Sequence, residues 1–179
     1  MMKKILLLLV LLILVTGCSD MMNTPTRRVE EYLGKYQILD STVLTELDNV
    51  VDNSDYSDEY KEEYKELMIK QYQNLSYKIK NEQTNGDTAT VIVELEVFDY
   101  NNALSEAEDY IDEHDSEFLD DEDETRKEKI AHYKINAMKE VTDKASYTIN
   151  FSLVKDNKKW VLEKISDSDL EKIHGLYED

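Results

Sequence analysis

The sequence predicts an α+β domain, an antiparallel four-stranded curved sheet with helices packed on one face, behind a cleavable amino-terminal export signal. Three observations lead there. Apolar residues recur with helical spacing over three successive segments between Thr24 and Leu75. They then switch to strict alternation around two turn-forming sequences, Asn85-Gly86 and Asp156-Asn157-Lys158. The first eighteen residues hold Lys3 and Lys4, an uncharged apolar run from Ile5 to Val15, and the ending Thr16-Gly17-Cys18.

A basic start, a short apolar core and a small-residue cleavage site define a secretory signal. Ile5 to Val15 would make a helix only about 16 Å long at ~1.5 Å per residue, whereas a bilayer core needs roughly 20 apolar residues. A permanent span is therefore the weaker expectation. Val15-Thr16-Gly17-Cys18 resembles the lipobox of bacterial lipoproteins, in which the signal is cut before the cysteine and that cysteine carries a diacylglycerol. The resemblance implies a signal peptide over 1–17 and lipid attachment at Cys18; composition and apolar periodicity then predict a lipidated cysteine and tether over 18–26 and one α+β domain over 27–179. Cys18 is also the only cysteine, so no disulfide can form within the chain, and acylation accounts for a lone thiol in an exported protein. Stable anchoring needs more than one acyl chain, and a diacylglyceryl group supplies two.

Without residues 1–17 the chain has 19 basic and 40 acidic residues, a formal charge of −21. Such a surface repels phosphate backbones, which argues against nucleic acid as a partner. It should also stand off anionic lipid headgroups. Four glycines, one proline and clear periodicity separate the chain from disordered acidic tails. Ser19 to Thr26 reads as the only linker, at most ~28 Å when extended.

Thr24-Pro25 predicts a helix start, with a hydroxyl cap and proline in the first turn; Val29, Tyr32, Leu33 and Tyr36 then share a face. Ser41 reads as a second cap, ahead of Val43, Leu44, Leu47, Val50 and Val51. Beyond the polar stretch Asp52 to Ser57, a third helix carries Tyr60, Tyr64, Leu67, Met68 and Leu75. Leu75, Tyr77 and Ile79 begin a strand, and Ala89, Val91, Val93, Leu95 and Val97 a second; Asn85-Gly86 supplies the turn. Asn102–Asp115 and Asp123–Thr142 predict two more helices. Ala145, Tyr147, Ile149, Phe151 and Leu153 face one side of a third strand, which turns at Asp156–Lys158 into Lys159–Ile165. A short last helix, capped by Ser166 or Ser168, carries Leu170, Ile173 and Tyr177. The order is ααα-ββ-αα-ββ-α.

Helices introduced by Thr24-Pro25, long antiparallel strands and the late strand Lys158-Lys159-Trp160-Val161-Leu162 resemble the NTF2-like superfamily, in particular small lipoproteins of unknown function from Gram-positive bacteria. The resemblance covers most of Thr24 to Ile165. It implies a cone formed by a curved sheet, in which some members use an aspartate as general base. Asp99, at the end of an alternating strand, is the one position of that kind, and a strand terminus entering a loop is the plainer reading. The long insertion between the hairpins and the closing helix depart from the family's usual plan.

Other candidate chemistry is sparse. From Glu106 to Glu124, twelve of nineteen residues are acidic and none is Lys or Arg. Ca²⁺ wants six to eight oxygens and a glycine-bearing loop, and no glycine is present there. Glu122 with Arg126 and Asp123 with Lys127 have i, i+4 spacing, so a solvated acidic loop entering a helix is expected. Glu128 with His132 and Glu171 with His174 could each pair two ligands, but a catalytic zinc needs three, and His114 stands among acids. No nucleophile motif is visible, and no metal or cofactor is expected. Twelve tyrosines against three phenylalanines include the one-turn pairs Tyr32/Tyr36 and Tyr60/Tyr64, which either close a core edge or line a groove. The expected role is a lipid-anchored binding or interaction module on the extracytoplasmic face of the cell membrane. Its partners would be the bilayer, through acylated Cys18, and an extracytoplasmic protein or cell-wall ligand. The alternatives are a small-molecule enzyme or carrier using an NTF2-like cone, and a cation-collecting surface protein.

Overall fold

The computed structural model describes residues 23–120 and 125–178. Its elements are α1 (Pro25–Gln37), α2 (Ser41–Asp52), α3 (Asp58–Asn74), β1 (Ser76–Asn85), β2 (Thr88–Phe98), α4 (Tyr100–Glu113), a 3-10 turn (Asp115–Phe118), α5 (Arg126–Lys139), β3 (Lys144–Asp156), β4 (Lys159–Leu162) and α6 (Asp167–His174). Cys18, the acidic residues 121–124 and the expected pairs Glu122/Arg126 and Asp123/Lys127 fall wholly or partly outside the described residues.

The four strands form one antiparallel sheet in the order β1-β2-β3-β4. Alternation fixes which side is covered, because successive side chains point to opposite faces. Val91, Val93, Leu95 and Val97 of β2 are buried, as are Ile149, Phe151 and Leu153 of β3. Val29, Leu33 and Tyr36 of α1, Val43, Leu47 and Val51 of α2, Met68 and Tyr72 of α3, and Ile173 of α6 join them in one core. Exposed Glu94, Glu96, Ser146, Thr148, Asn150 and Ser152 are their neighbours in the strands and face the opposite side. One dry and one wet face is the usual state of an antiparallel sheet.

Both hairpin turns lie at the same end of the sheet, since Thr88 pairs with Val154. There Asn85 pairs with Thr88, so the two-residue loop is Gly86-Asp87 rather than Asn85-Gly86, and only Gly86, at φ 61°, needs the left-handed region. Asn157 and Lys158 both have positive φ, the pattern of a type I′ turn. At the other end Phe98 pairs with Lys144, and the insertion carrying α4 and α5 joins the two strands there. A bulge between Ile79 and Asn81 shifts the register of β1, and every residue of β1 beyond it is exposed.

The differences from sequence expectation lie at element ends. Asp40, not Ser41, caps α2 by accepting from the Thr42 amide. Val50 is 62% exposed, off the core face. α3 stops at Asn74, and Leu75 turns extended into β1 while staying buried. β4 ends at Leu162, and Tyr177 lies beyond α6. Asp99 follows the end of β2 as expected, but leads into a helix and not a loop: its carboxylate accepts from the Asn102 amide at 3.1 Å and caps α4, which starts two residues early. That brings Tyr100 into the helix, fully buried beside Leu67, Ile135 and Met138. α5 is shorter than its periodicity indicated, because the capping box of Thr125 and Glu128 sets its start.

One buried polar residue ties the layers together. Gln71, with no exposed surface, donates from Nε2 to the carbonyls of Phe98 and His174 and accepts from the Phe98 amide at 2.9 Å. All three bonds are made within a site that could not supply water, which is the condition for a buried amide to be stabilising. Gly175, at φ 72°, closes α6 beside it, and a Cβ there would overlap Gln71 Nε2 and the Phe98 carbonyl.

Candidate functional site

Among the described residues the packed face of the sheet holds no cone. Side chains of α1, α2, α3 and α6 fill it, and two grooves lie among the helices instead. Asp99 is on the rim of one of them, with its carboxylate committed to the α4 cap.

The first groove is aromatic. The last turn of α2 and the loop before α3 set Val50, Val51 and Ser54 against Tyr56, Tyr60, Lys61 and Tyr64 around a cavity of about 230 Å³. Its wall follows from spacing: residues four apart on a helix stand on one face, and Ser57 caps α3 by accepting from the Tyr60 amide. The Tyr56 and Tyr60 rings are 4.3 Å apart between centroids, and Tyr60 and Tyr64 are 6.3 Å apart and nearly parallel. Lys127 Nζ sits 4.5 Å from the Tyr56 ring centroid while pairing with Asp55, and the His132 ring meets Tyr60 edge-on. Burial, then the neighbouring Tyr56 and Tyr64, push the Tyr60 hydroxyl up to about 12; burial also raises Tyr64. Tyr60 and Tyr64 are thus apolar surfaces with a neutral hydroxyl, and offer no phenolate base.

Tyr32 and Tyr36 took the other course. Tyr36 is buried, meets Tyr72 edge-on at 5.1 Å, and exchanges a 3.2 Å hydroxyl contact with Tyr32. Burial raises both hydroxyls, as expected of a core edge rather than a ligand wall.

The second groove runs between α4 and α5 and encloses about 520 Å³. Ala103, Ala107 and Ala137 allow the close approach, and Tyr110 stacks on Tyr133 at 5.1 Å. Asp99, Glu106, Glu140 and Asp143 surround it. Their carboxylates do not converge: among the described residues no three His, Cys, Asp or Glu side chains come together as a metal ion would need. Glu128 spends its carboxylate on Thr125, while His132 faces Glu63 at 3.6 Å. Lys139 bonds Glu63 at 2.8 Å and is the main cause of that carboxyl's lowered pKa. His114 Nδ1 lies 2.9 Å from the Tyr110 carbonyl. His174 packs on Tyr72, and burial lowers its pKa to about 4. The histidine pairs are therefore dispersed into separate structural roles.

Spacing foretold Tyr60 with Tyr64 but missed Tyr56, whose i, i+4 relation to Tyr60 crosses the helix cap. It also missed the Tyr110/Tyr133 stack, which joins two helices and leaves no local signal.

The model for the prokaryotic membrane lipoprotein lipid attachment site matches residues 2–19. No curated protein and no solved structure matches the chain. Among the described residues no helix is long and apolar enough to cross a membrane. The amino terminus thus carries the attachment signature of a prokaryotic membrane lipoprotein, and a lipid anchor is what that signature specifies.

Proposed function

We propose that this lipoprotein is a binding module, acylated at Cys18, exposed on the extracytoplasmic face and engaging a protein or cell-wall ligand through the Tyr56/Tyr60/Tyr64 groove. The observation that carries the reading is the pairing of a filled sheet with an open aromatic groove beside exposed Val50. A carrier or enzyme built on an NTF2-like cone would need space against the sheet, where Val91, Val93, Leu95 and Phe151 are instead covered. Neutral tyrosines beside an aliphatic residue offer large apolar area with a polar tip, the composition of binding hot spots.

The test is site-specific photocrosslinking on intact cells, with the photoreactive residue at Val50 or, as control, at Asn150 on the exposed sheet face. A discrete adduct from Val50 that is absent from Asn150 and lost on Tyr60→Ala is expected. Equal adduct patterns from the two positions would discard the groove. Palmitate labelling tests the anchor separately: Cys18→Ser should abolish it, and labelling that survives would remove Cys18 as the attachment point.

A further inference from the structure

Ahead of α1, Asn23 is fastened to the sheet. Asn23 Nδ2 donates to the Lys158 carbonyl at 2.8 Å, and the Trp160 amide donates to Asn23 Oδ1 at 3.1 Å. A side-chain amide thereby occupies the open edge of β4 next to the β3–β4 turn. Asn23 is five peptide steps from Cys18, with four residues between them, a reach of at most ~18 Å. The turn end of the sheet is therefore the end that a lipid at Cys18 draws toward the bilayer.

Charge is arranged along the same axis. At the turn end stand Lys155, Lys158 and Lys159, against Asp87 and Asp156, and all five are exposed. Lys155 Nζ is 3.9 Å from Asp87 and lies over the Trp160 ring. Lys158 holds φ 65°, which glycine would adopt without strain. The acidic insertion sits at the opposite end, separated by the eleven residues of β2, roughly 36 Å at ~3.3 Å per residue. In a chain with 40 acidic and 19 basic residues beyond position 17, the least acidic end is the tethered one.

We propose that the turn end, led by Lys158 and Lys159, is a bilayer-contacting face that fits anionic headgroups, and that the α4–α5 insertion points away from the membrane. The proposal rests on the lipid-anchor reading at Cys18. A tether alone permits many tilts; lysines beside its attachment point favour the one in which they meet negative lipid, within the roughly 10 Å reach of surface charge.

The acylated full chain, reconstituted in vesicles of phosphatidylglycerol and phosphatidylcholine (3:7), supplies the test. A donor dye is placed at Asp87→Cys or at Ser116→Cys, and energy transfer to a headgroup-labelled acceptor lipid is measured. Transfer from position 87 should exceed that from position 116 by about threefold or more, given end-to-end separations beyond ~30 Å. The Lys158→Glu/Lys159→Glu pair should reduce transfer from position 87 on these vesicles and leave it unchanged on pure phosphatidylcholine. Equal transfer from the two dye positions, or a lysine effect independent of lipid charge, would overturn the proposal. Failure of the acylated chain to float with vesicles would overturn the anchor itself, and is distinguishable because flotation is scored before transfer.

Discussion

The sheet with α1, α3 and α6 and the insertion carrying α4 and α5 are held by different forces. In the first, the inward faces of β2 and β3 are buried almost without remainder, and Gln71 satisfies its amide fully while locking strand to helix. In the second, a thin apolar seam of Ala107, Ile111, Phe118, Ala131, Ile135 and Met138 is framed by charge. Its cross-links include Lys134 to Glu108 and Arg126 to Asp115. Dry burial is not weakened by charge screening, whereas exposed ion pairs are weak and screened. One chain therefore joins a scaffold held by a continuous dry core to an acidic hairpin with a thin apolar seam and exposed ion pairs.

The largest effect should come from the seam of the scaffold. Gly175→Ala forces a Cβ into Gln71 and the Phe98 carbonyl at a φ of 72°, combining overlap, strain and the loss of a buried hydrogen-bond network. Such combinations cost about 4 kcal/mol or more. Urea unfolding should show the unfolding free energy falling by that amount, and a change below about 1 kcal/mol would mean that the Gln71 junction is soft.

The second effect concerns the same junction and its pH dependence. Burial holds His174 near 4 in the folded chain, against about 6.5 unfolded. Between those values the unfolded chain binds a proton that the folded chain does not, so stability is complete above pH 6.5 and falls as pH drops toward 4. The loss is up to about 3 kcal/mol, and less to the extent that solvent reaches the ring. Glu63, held down chiefly by its bond from Lys139, loses its contribution below the ordinary carboxylate range, so the interval from pH 6.5 to 5 lies above its effect. Denaturation midpoints across it should slope in the native chain and flatten in His174→Phe. Equal slopes would assign the dependence to another group.

The contrast between regions also explains what the sequence made legible. Scaffold strands announce themselves because one buried face imposes period two, and Val91, Val93, Leu95 and Val97 could be assigned to the core from spacing alone. The Thr24 cap and the core face of α1 are legible for the same local reason. Gln71 was not, since a glutamine on an otherwise apolar helix face becomes meaningful only when the Phe98 carbonyl and the end of α6 arrive from distant sequence. Tyr100 was hidden by Asp99, which ends one element and caps the next, so that alternation ran past the true boundary. The aromatic groove was half visible: Tyr60 and Tyr64 share a helix, whereas Tyr56, Val50 and Val51 come from the preceding loop and helix. The acidic stretch was prominent in composition, yet its described carboxylates turn to caps, ion pairs and solvent instead of one another.

Within the insertion the effects should be smaller. Thr125→Ala removes the hydroxyl half of the α5 capping box and leaves the bond from the residue 125 amide to Glu128, at a cost of about 1 kcal/mol. If the insertion is local in its stability, amide exchange should quicken across α5 while the β2 and β3 amides keep their protection. Exchange that rises equally in both regions would dissolve the distinction between them.

Smallest of all is the ion pair of Lys134 and Glu108, separated by 2.6 Å but joining a partly buried side chain to one that is largely exposed. Short distance alone does not make such a bridge strong, because two flexible side chains must be ordered and water screens the charges. Lys134→Ala should cost less than about 1 kcal/mol at low salt, and the difference should vanish near 1 M NaCl, where the screening length is about 3 Å. The lysine also relieves repulsion on an insertion crowded with carboxylates, so part of its effect is long-range, and added salt would remove that part together with the pair. A penalty that persists at high salt would show that the lysine stem, packed along α5, holds α4 by apolar contact. In that case the insertion would owe more to burial than its charge implies, and its difference from the scaffold would be one of degree.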